Sequence, residues 1–213
     1  MIRYNPINSD AVTTPINYLP KTCFIMCQLK EPIPEQQDEI RKRLSNFLKI
    51  RDIKEIDADS SITGRDFLLK IWGMIFQVPV GIAIITKKTT RKTLANIFYE
   101  VGILQACGKE TLVIKTKGSS VPSDFIRTEY LNYDDELEGK LTKYFDFIDS
   151  LESHFDMMAE QLEKDPLLAI DYLRRAFLIT GKDNFRERAQ DLFSKSDYKD
   201  RRRDCVENLL LRF

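Results

Sequence analysis

The residues Val78-Pro79-Val80-Gly81-Ile82-Ala83-Ile84-Ile85 form a nearly unbroken apolar run with no alternating polar face. A strand of this kind is buried on both sides, and the arrangement that covers both sides is a parallel sheet with helices on each face. The flanking sequence agrees. Phe67, Leu68, Ile71, Ile75 and Phe76 repeat at helical steps within Gly64 to Gln77, and Pro79 ends that helix. After the run, Leu94, Ile97, Phe98, Val101 and Leu104 make the apolar stripe of a second helix, which Gly108 stops.

The same alternation extends in both directions. Thr22-Cys23-Phe24-Ile25-Met26-Cys27-Gln28-Leu29 reads as a first, central strand. A helix with Ile40, Leu44, Phe47 and Leu48 on one face follows it, and then a short strand at Lys54 to Ile56. Thr111-Leu112-Val113-Ile114 is a fourth strand, Gly118-Ser119-Ser120-Val121-Pro122-Ser123 a loop, and Glu129-Tyr130-Leu131-Asn132-Tyr133 a fifth, edge strand. The fold class is therefore α/β, a flavodoxin-like doubly wound parallel sheet of about five strands.

Strand signals vanish past residue 149. Leu151 to Leu162, Leu167 to Leu178, Phe185 to Phe193 and Cys205 to Phe213 carry helical spacing, separated by Asp165-Pro166, Gly181-Lys182-Asp183-Asn184 and Ser194-Lys195-Ser196-Asp197. The expected organisation is an irregular arm at 1–20, an α/β domain at 21–149 and an all-helical C-terminal region at 150–213.

Lys and Arg together number 33, as do Asp and Glu, so no global basic field argues for nucleic acid as partner. Arg201-Arg202-Arg203, followed by Asp204, reads as a solvated helix face. The uncharged stretch Ile71 to Thr86 is too short and too broken to span a membrane, and the polar N-terminus has no signal-peptide pattern, so a soluble cytoplasmic protein is expected. Cys23, Cys27, Cys107 and Cys205 show no CxxC spacing and fit buried thiols better than disulfides or zinc ligands. Metal-ligand spacing is absent. Asp57 and Asp59 offer carboxylates, but a loop capping the next helix explains them. GxGxxG and GxxxxGK[ST] are missing, and the single histidine, His154, lies in the helical region.

Chemistry is expected beyond the carboxyl end of the buried strand, where open α/β sheets bind ligands. Asn96 and Glu100 are four residues apart and share one side of the helix. Breaking an N-glycosidic bond passes through an oxocarbenium-like sugar, which a carboxylate stabilises or attacks. Glu100 suits either role, and Asn96 suits a hydrogen bond to a ribose hydroxyl or to the carboxylate. The competing reading is an exposed acid in the first part of a helix. Asn96 and Glu100 lie between the stripe noted above and a second one of Tyr99, Ile103 and Cys107, so partial desolvation and a raised pKa are expected for Glu100. The second stripe fits either self-association or cover by the C-terminal helices.

Asp57-Ala58-Asp59, Gly64-Arg65-Asp66, Val80-Gly81-Ile82-Ala83-Ile84-Ile85-Thr86 and Asn96-Ile97-Phe98-Tyr99-Glu100-Val101-Gly102, continuing through Ala106-Cys107-Gly108-Lys109 to Ile114, resemble the TIR-like and nucleoside 2-deoxyribosyltransferase-like nucleotide-binding group. The resemblance covers roughly Cys23 to Asp134 and does not reach the helical C-terminus. It implies a ligand with a base and a ribose, Glu100 as catalytic glutamate and Asn96 as its neighbour. It also implies a cleft bordered by Gln28, Leu29, Asp57, Asp59 and Thr86. In enzymes of the TIR type this cleft cleaves nicotinamide from NAD, which is substrate and not resident cofactor. Such enzymes often act as effectors of bacterial antiviral defence that homo-oligomerisation switches on, so the helical region would suit sensing, assembly or an activator protein.

Two departures qualify the resemblance. Deoxyribosyltransferases carry an acid a few residues before the Glu, whereas this chain has Lys87-Lys88-Thr89-Thr90-Arg91-Lys92-Thr93-Leu94. That disfavours deoxyribosyl exchange and suits a phosphorylated ligand held by Lys87, Lys88, Arg91 or Lys92, beside the plainer reading of a solvated basic loop. The aromatic-rich segment that TIR proteins carry after the first strand is also missing. The alternative functions are a non-catalytic nucleotide sensor or assembly module, and a nucleoside deoxyribosyltransferase-like enzyme.

Overall fold

The computed structural model describes residues 16–59, 67–119, 121–122 and 130–196, together with Glu207 and Leu210. Five strands run β1 (Thr22–Met26), β2 (Lys54–Ile56), β3 (Val80–Ile85), β4 (Glu110–Lys115) and β5 (Tyr130–Asn132). They pair in parallel in the order β2-β1-β3-β4-β5, the flavodoxin-like arrangement. All six residues of β3 are buried, and Ile82 pairs with Ile25 of β1 on one side and Leu112 of β4 on the other.

The pleat of β3 divides the core in two. Val80, Ile82 and Ile84 face a layer built from α1 (Glu35–Ile50) and the first half of α4 (Leu137–Gln161), with Leu44, Phe47, Leu141 and Phe145 among the contacts. Ala83 and Ile85 face α2 (Phe67–Gln77) and α3 (Arg91–Ala106), where Ile71, Ile75, Ile97, Val101 and Leu104 fill the space. Gly81 allows α3 to approach the sheet, since a Cβ there would lie 2.4 Å from Leu104 Cδ1 and 3.1 Å from Met26 Cε.

Local signals set the helix ends. The Thr90 hydroxyl accepts the Thr93 N–H at 3.2 Å and caps α3. Asp165 caps α5 (Pro166–Thr180), Pro166 occupies its first turn, and Gly181 ends it at φ +69°. A third core, including Ala159, Leu173, Phe177 and Phe185, joins the end of α4 to α5 and α6 (Asp183–Lys195).

The helical region begins earlier than the sequence pattern indicates. α4 starts at Leu137 and runs without a break through Asp149. Asp134-Asp135-Glu136-Leu137-Glu138 and the charges after it hide a stripe of Leu137, Leu141, Tyr144, Phe145 and Ile148, all buried against α1 and the sheet. One helix thus covers the sheet with its first half and carries the helical region with its second.

The arm ends as a strap. Leu19 N–H donates to the Gln77 carbonyl at 2.8 Å, and Lys21 N–H to the Leu178 carbonyl at 2.9 Å, joining α2 to α5. Residues 1–15, Gly64-Arg65-Asp66, Glu129 and most of the expected Cys205 to Phe213 helix lie outside the described residues. Among the described residues no helix is long and apolar enough to cross a membrane.

Gly81→Ala is expected to destabilise the fold by ~1–3 kcal/mol, because Leu104 is fully buried and has little room to retreat. In a chemical-denaturation cycle, Leu104→Ala should absorb much of that cost, leaving a favourable coupling between the two sites.

Candidate active site

The strand order reverses direction between β1 and β3, so a crevice opens beyond their carboxyl ends. Gln28, just past β1, holds this place together. Its backbone N–H donates to Gln37 Oε1 at 3.0 Å, and Gln37 Nε2 returns a 2.7 Å bond to the Gln28 carbonyl. The Gln28 side-chain amide donates to the carbonyls of Lys30, at 3.2 Å, and Pro32, at 2.7 Å, while its Oε1 accepts the Thr90 N–H at 3.4 Å. Gln28 is thereby a buried clamp between β1, α1 and the start of α3, with both amide protons engaged. Leu29 packs against the core under α3.

Beyond β3, Thr86 N–H donates to Thr89 Oγ1 at 2.9 Å, and Thr89 N–H returns to the Thr86 carbonyl at 3.0 Å. This tight turn delivers the chain to the Thr90 cap and leaves Lys87, Lys88, Arg91 and Lys92 exposed. The loop after β4 runs alongside it. Lys87 N–H donates to Thr116 Oγ1 at 3.1 Å, and Thr116 N–H to the Ile85 carbonyl at 3.0 Å. Between residues 86 and 119 there are seven Lys or Arg and two Glu, so charge is segregated here although the whole chain is balanced. Lys115 lies over the Tyr130 ring at 4.0 Å.

On the β2 side, Arg41 of α1 organises the loop that the two aspartates occupy. Its Nη2 lies 2.9 Å from Asp57 Oδ2 and 3.7 Å from Glu55, and its Nη1 lies 3.6 Å from Cys27 Sγ. Asp57 Oδ1 also accepts the Asp59 N–H at 3.1 Å. Asp57 is held in place by these bonds, whereas Asp59 is exposed. Burial pushes the Cys27 thiol up despite the opposing guanidinium, so it stays protonated.

Glu100 is half-buried on the flank of α3, three residues from Ile97 and one from Val101. Burial alone pushes its carboxyl up to about 7. Among the described residues it has no hydrogen-bond donor and no cation beside it, and its charge is felt at the Cys27 thiol. Asn96, one turn nearer the helix start, is exposed, as is Tyr99.

Cys27, Gln28, Leu29 and Asp57 follow the carboxyl ends of β1 and β2, Thr86, Lys87 and Arg91 lie on the loop and helix start after β3, Asp59 is exposed, and Glu100, further along α3, is linked to this group by its charge at Cys27. Arg41, Gln37 and the neighbouring Lys115 and Lys117 were not singled out from the sequence. Gln37 carried a signal, since with Ile40, Leu44 and Leu48 it continues the buried stripe of α1 as a polar residue. Among the described residues no group of three or more His, Cys, Asp or Glu converges to hold a metal ion. A cavity of about 350 Å3 opens at the opposite, amino-terminal edge of the sheet, so the Glu100 site is defined by the switch point and by the desolvated carboxyl, not by that volume. No family model matches the chain, and no curated protein and no solved structure matches it.

A carboxyl whose folded pKa lies above its ordinary value of 4.5 keeps its proton in the folded state after the unfolded chain has lost it. Stability should therefore fall as pH rises from about 4.5 to about 7 and level off above that. Glu100→Gln is expected to flatten this slope and to stabilise the protein at pH 8 by on the order of 2 kcal/mol, measured by urea unfolding across pH.

Proposed function

We propose that the protein is an N-glycoside hydrolase acting on a nucleotide such as NAD, with Glu100 as the group that meets the developing sugar cation. The observation that carries this reading is a half-buried carboxyl at about 7, unpartnered among the described residues, on the helix that follows the central strand of a doubly wound sheet and close enough to Cys27, after β1, for its charge to act there. The block Asn96 to Ile114, with its likeness to TIR-like and deoxyribosyltransferase-like proteins, supports the same assignment.

In the proposed reaction the C1′–N bond breaks and its electron pair leaves with the base. For NAD the departing pyridinium becomes neutral nicotinamide, so no acid is needed to protonate it. The ionised Glu100 faces C1′ and either stabilises the oxocarbenium through space or closes on it as an ester. Water then bonds to C1′, where an ester has formed the C1′–O bond to Glu100 breaks and its electron pair returns to the carboxylate, and the water gives up a proton, which the carboxylate takes and releases to solvent. Desolvation makes the ionised carboxylate a stronger partner for the cation than one in water. Asn96 is assigned to a ribose hydroxyl. Phosphates are assigned to Lys87, Lys88, Arg91 and Lys92 at the start of α3, where the helix dipole also favours anions, with Lys117 beside them.

A non-catalytic nucleotide sensor is the second reading. It is favoured by the lack, among the described residues, of any group that orients Glu100. In either case the helices that share α4 with the sheet are assigned to assembly or to an activator.

Purified protein, over a wide concentration range, should release nicotinamide from NAD or a free base from a panel of nucleotides, followed by chromatography. Glu100→Gln is expected to lower the rate at least ~100-fold, and the wild-type kcat/KM should rise with pH to a plateau above about 7, as the carboxyl ionises. Turnover that survives the substitution removes Glu100 from the chemistry. Nucleotide binding retained by both proteins without turnover selects the sensor.

A further inference from the structure

The loops after β3 and β4 are two copies of one turn, laid side by side. In Thr86-Lys87-Lys88-Thr89 the Thr89 N–H donates to the Thr86 carbonyl at 3.0 Å, and the two threonine hydroxyls lie 3.1 Å apart. In Thr116-Lys117-Gly118-Ser119 the Ser119 N–H donates to the Thr116 carbonyl at 3.1 Å, and the two hydroxyls lie 3.0 Å apart. Ile85 pairs with Lys115 in the sheet, so the turns that follow stand one strand spacing apart, ~4.8 Å. The Lys87 N–H, donated to Thr116 Oγ1 at 3.1 Å, ties one to the other. Thr86, Thr89 and Thr116 are buried, while Lys87, Lys88 and Lys117 are exposed. The Lys87 side chain lies against the second turn, since a Cβ on Gly118 would be 3.9 Å from its Cδ.

The charges here are not compensated within the fold. Arg91 and Lys92, on the first turn of α3, are exposed like the three lysines of the turns, and among the described residues none of the five pairs with a carboxylate. Arg43 and Arg51, on the other layer of the sheet, pair with Glu138 and Asp149. Immediately before the second turn, Lys115 lies over the ring of Tyr130, which is 41% exposed. Five uncompensated cations on tied turns and a helix start, bordered by an accessible aromatic ring, match the chemistry of one nucleic-acid strand: phosphates meet the cations and a base meets the ring. The cations repel one another, and a polyanion that draws them to its phosphates relieves that repulsion. A bilayer fits this surface less well, because no large apolar side chain is exposed from 86 to 98 or from 115 to 119 to enter it. An acidic peptide backbone would meet the cations but bring no base to Tyr130.

We propose that the twin turns and the start of α3 bind a single strand of nucleic acid, with its phosphates on Lys87, Lys88, Arg91, Lys92 and Lys117 and one base on Tyr130. The equal totals of acidic and basic residues conceal this patch, because the carboxylates that balance it lie elsewhere in the chain. The surface goes beyond the nucleotide reading and needs no chemistry at Glu100. Its cations are the ones assigned to a nucleotide's phosphates, so a bound strand and a bound nucleotide would compete for them.

The test uses the full chain and a fluorescent oligothymidylate of about twenty nucleotides, followed by anisotropy over a range of salt. The strand should bind, and log K should fall against log salt with a slope of roughly −3 to −4, from five phosphate contacts at ~0.7 each. Lys87→Glu combined with Lys117→Glu, at exposed positions without a carboxylate partner, should weaken binding at least ~tenfold and flatten the slope by about 1.4. Tyr130→Ala should weaken it about tenfold, and Tyr130→Phe should keep it. If Tyr130→Ala on its edge strand does not fold, an abasic strand of the same length reads the same contact and should bind more weakly. No binding of the oligothymidylate, an affinity and slope unchanged in the lysine double variant, or equal binding of the abasic strand, of a duplex of the same length or of polyglutamate would each overturn the proposal. Binding is read without turnover, so its failure and a failure of nucleotide hydrolysis are separate results.

Discussion

Burial of β3 on both faces is the constraint from which the other elements follow. A six-residue strand with no exposed position needs a hydrogen-bonded neighbour on each edge and a helical layer on each face. β1 and β4 provide the edges, α2 and α3 one layer, α1 the other. α1 alone does not cover Val80, Ile82 and Ile84 together with Leu112 and Ile114, and α4 completes that layer. The helical region is therefore not an independent addition. Its first helix is part of the sheet's own core, and its next two are stacked on the extension of that helix.

The same constraint explains what was legible. β1, β3 and β4 could be read because strands buried on both faces carry long apolar runs, and α1, α3 and α5 because their stripes lie between clear stop signals such as Gly108, Asp165-Pro166 and Gly181. α4 could not be bounded, because its buried positions are interleaved with Asp and Lys that serve its outer face. Several of those charges bind partners far away in the chain, as when Arg51 reaches Asp149 at 3.1 Å. Distant pairing of that kind has no local signature.

The site divides along the same line. Glu100 and Asn96 could be found because helical spacing and nearness to a strand end are local facts. The roles of Gln28 and Asp57 could not. Gln28 spends its amide on Lys30, Pro32 and Thr90, and Asp57 is held by Arg41 from a different helix. Both residues border the crevice, but as its framework. Gln28 in particular links the end of β1 to the cap of α3, so the orientation of the helix that carries Glu100 depends on a side chain seventy-two positions away.

Several arginines among the described residues are compensated by carboxylates. Arg41, Arg43, Arg51, Arg174 and Arg188 each have a carboxylate partner. Glu100 departs from that pattern. Burial pushes its carboxyl up, so its ionised form is expected to lower stability above neutral pH relative to a glutamine, which has the same size and no charge. A residue expected to weaken the fold where a neutral isostere of the same size would not is difficult to account for by packing. Functional sites are where such local inconsistencies are expected.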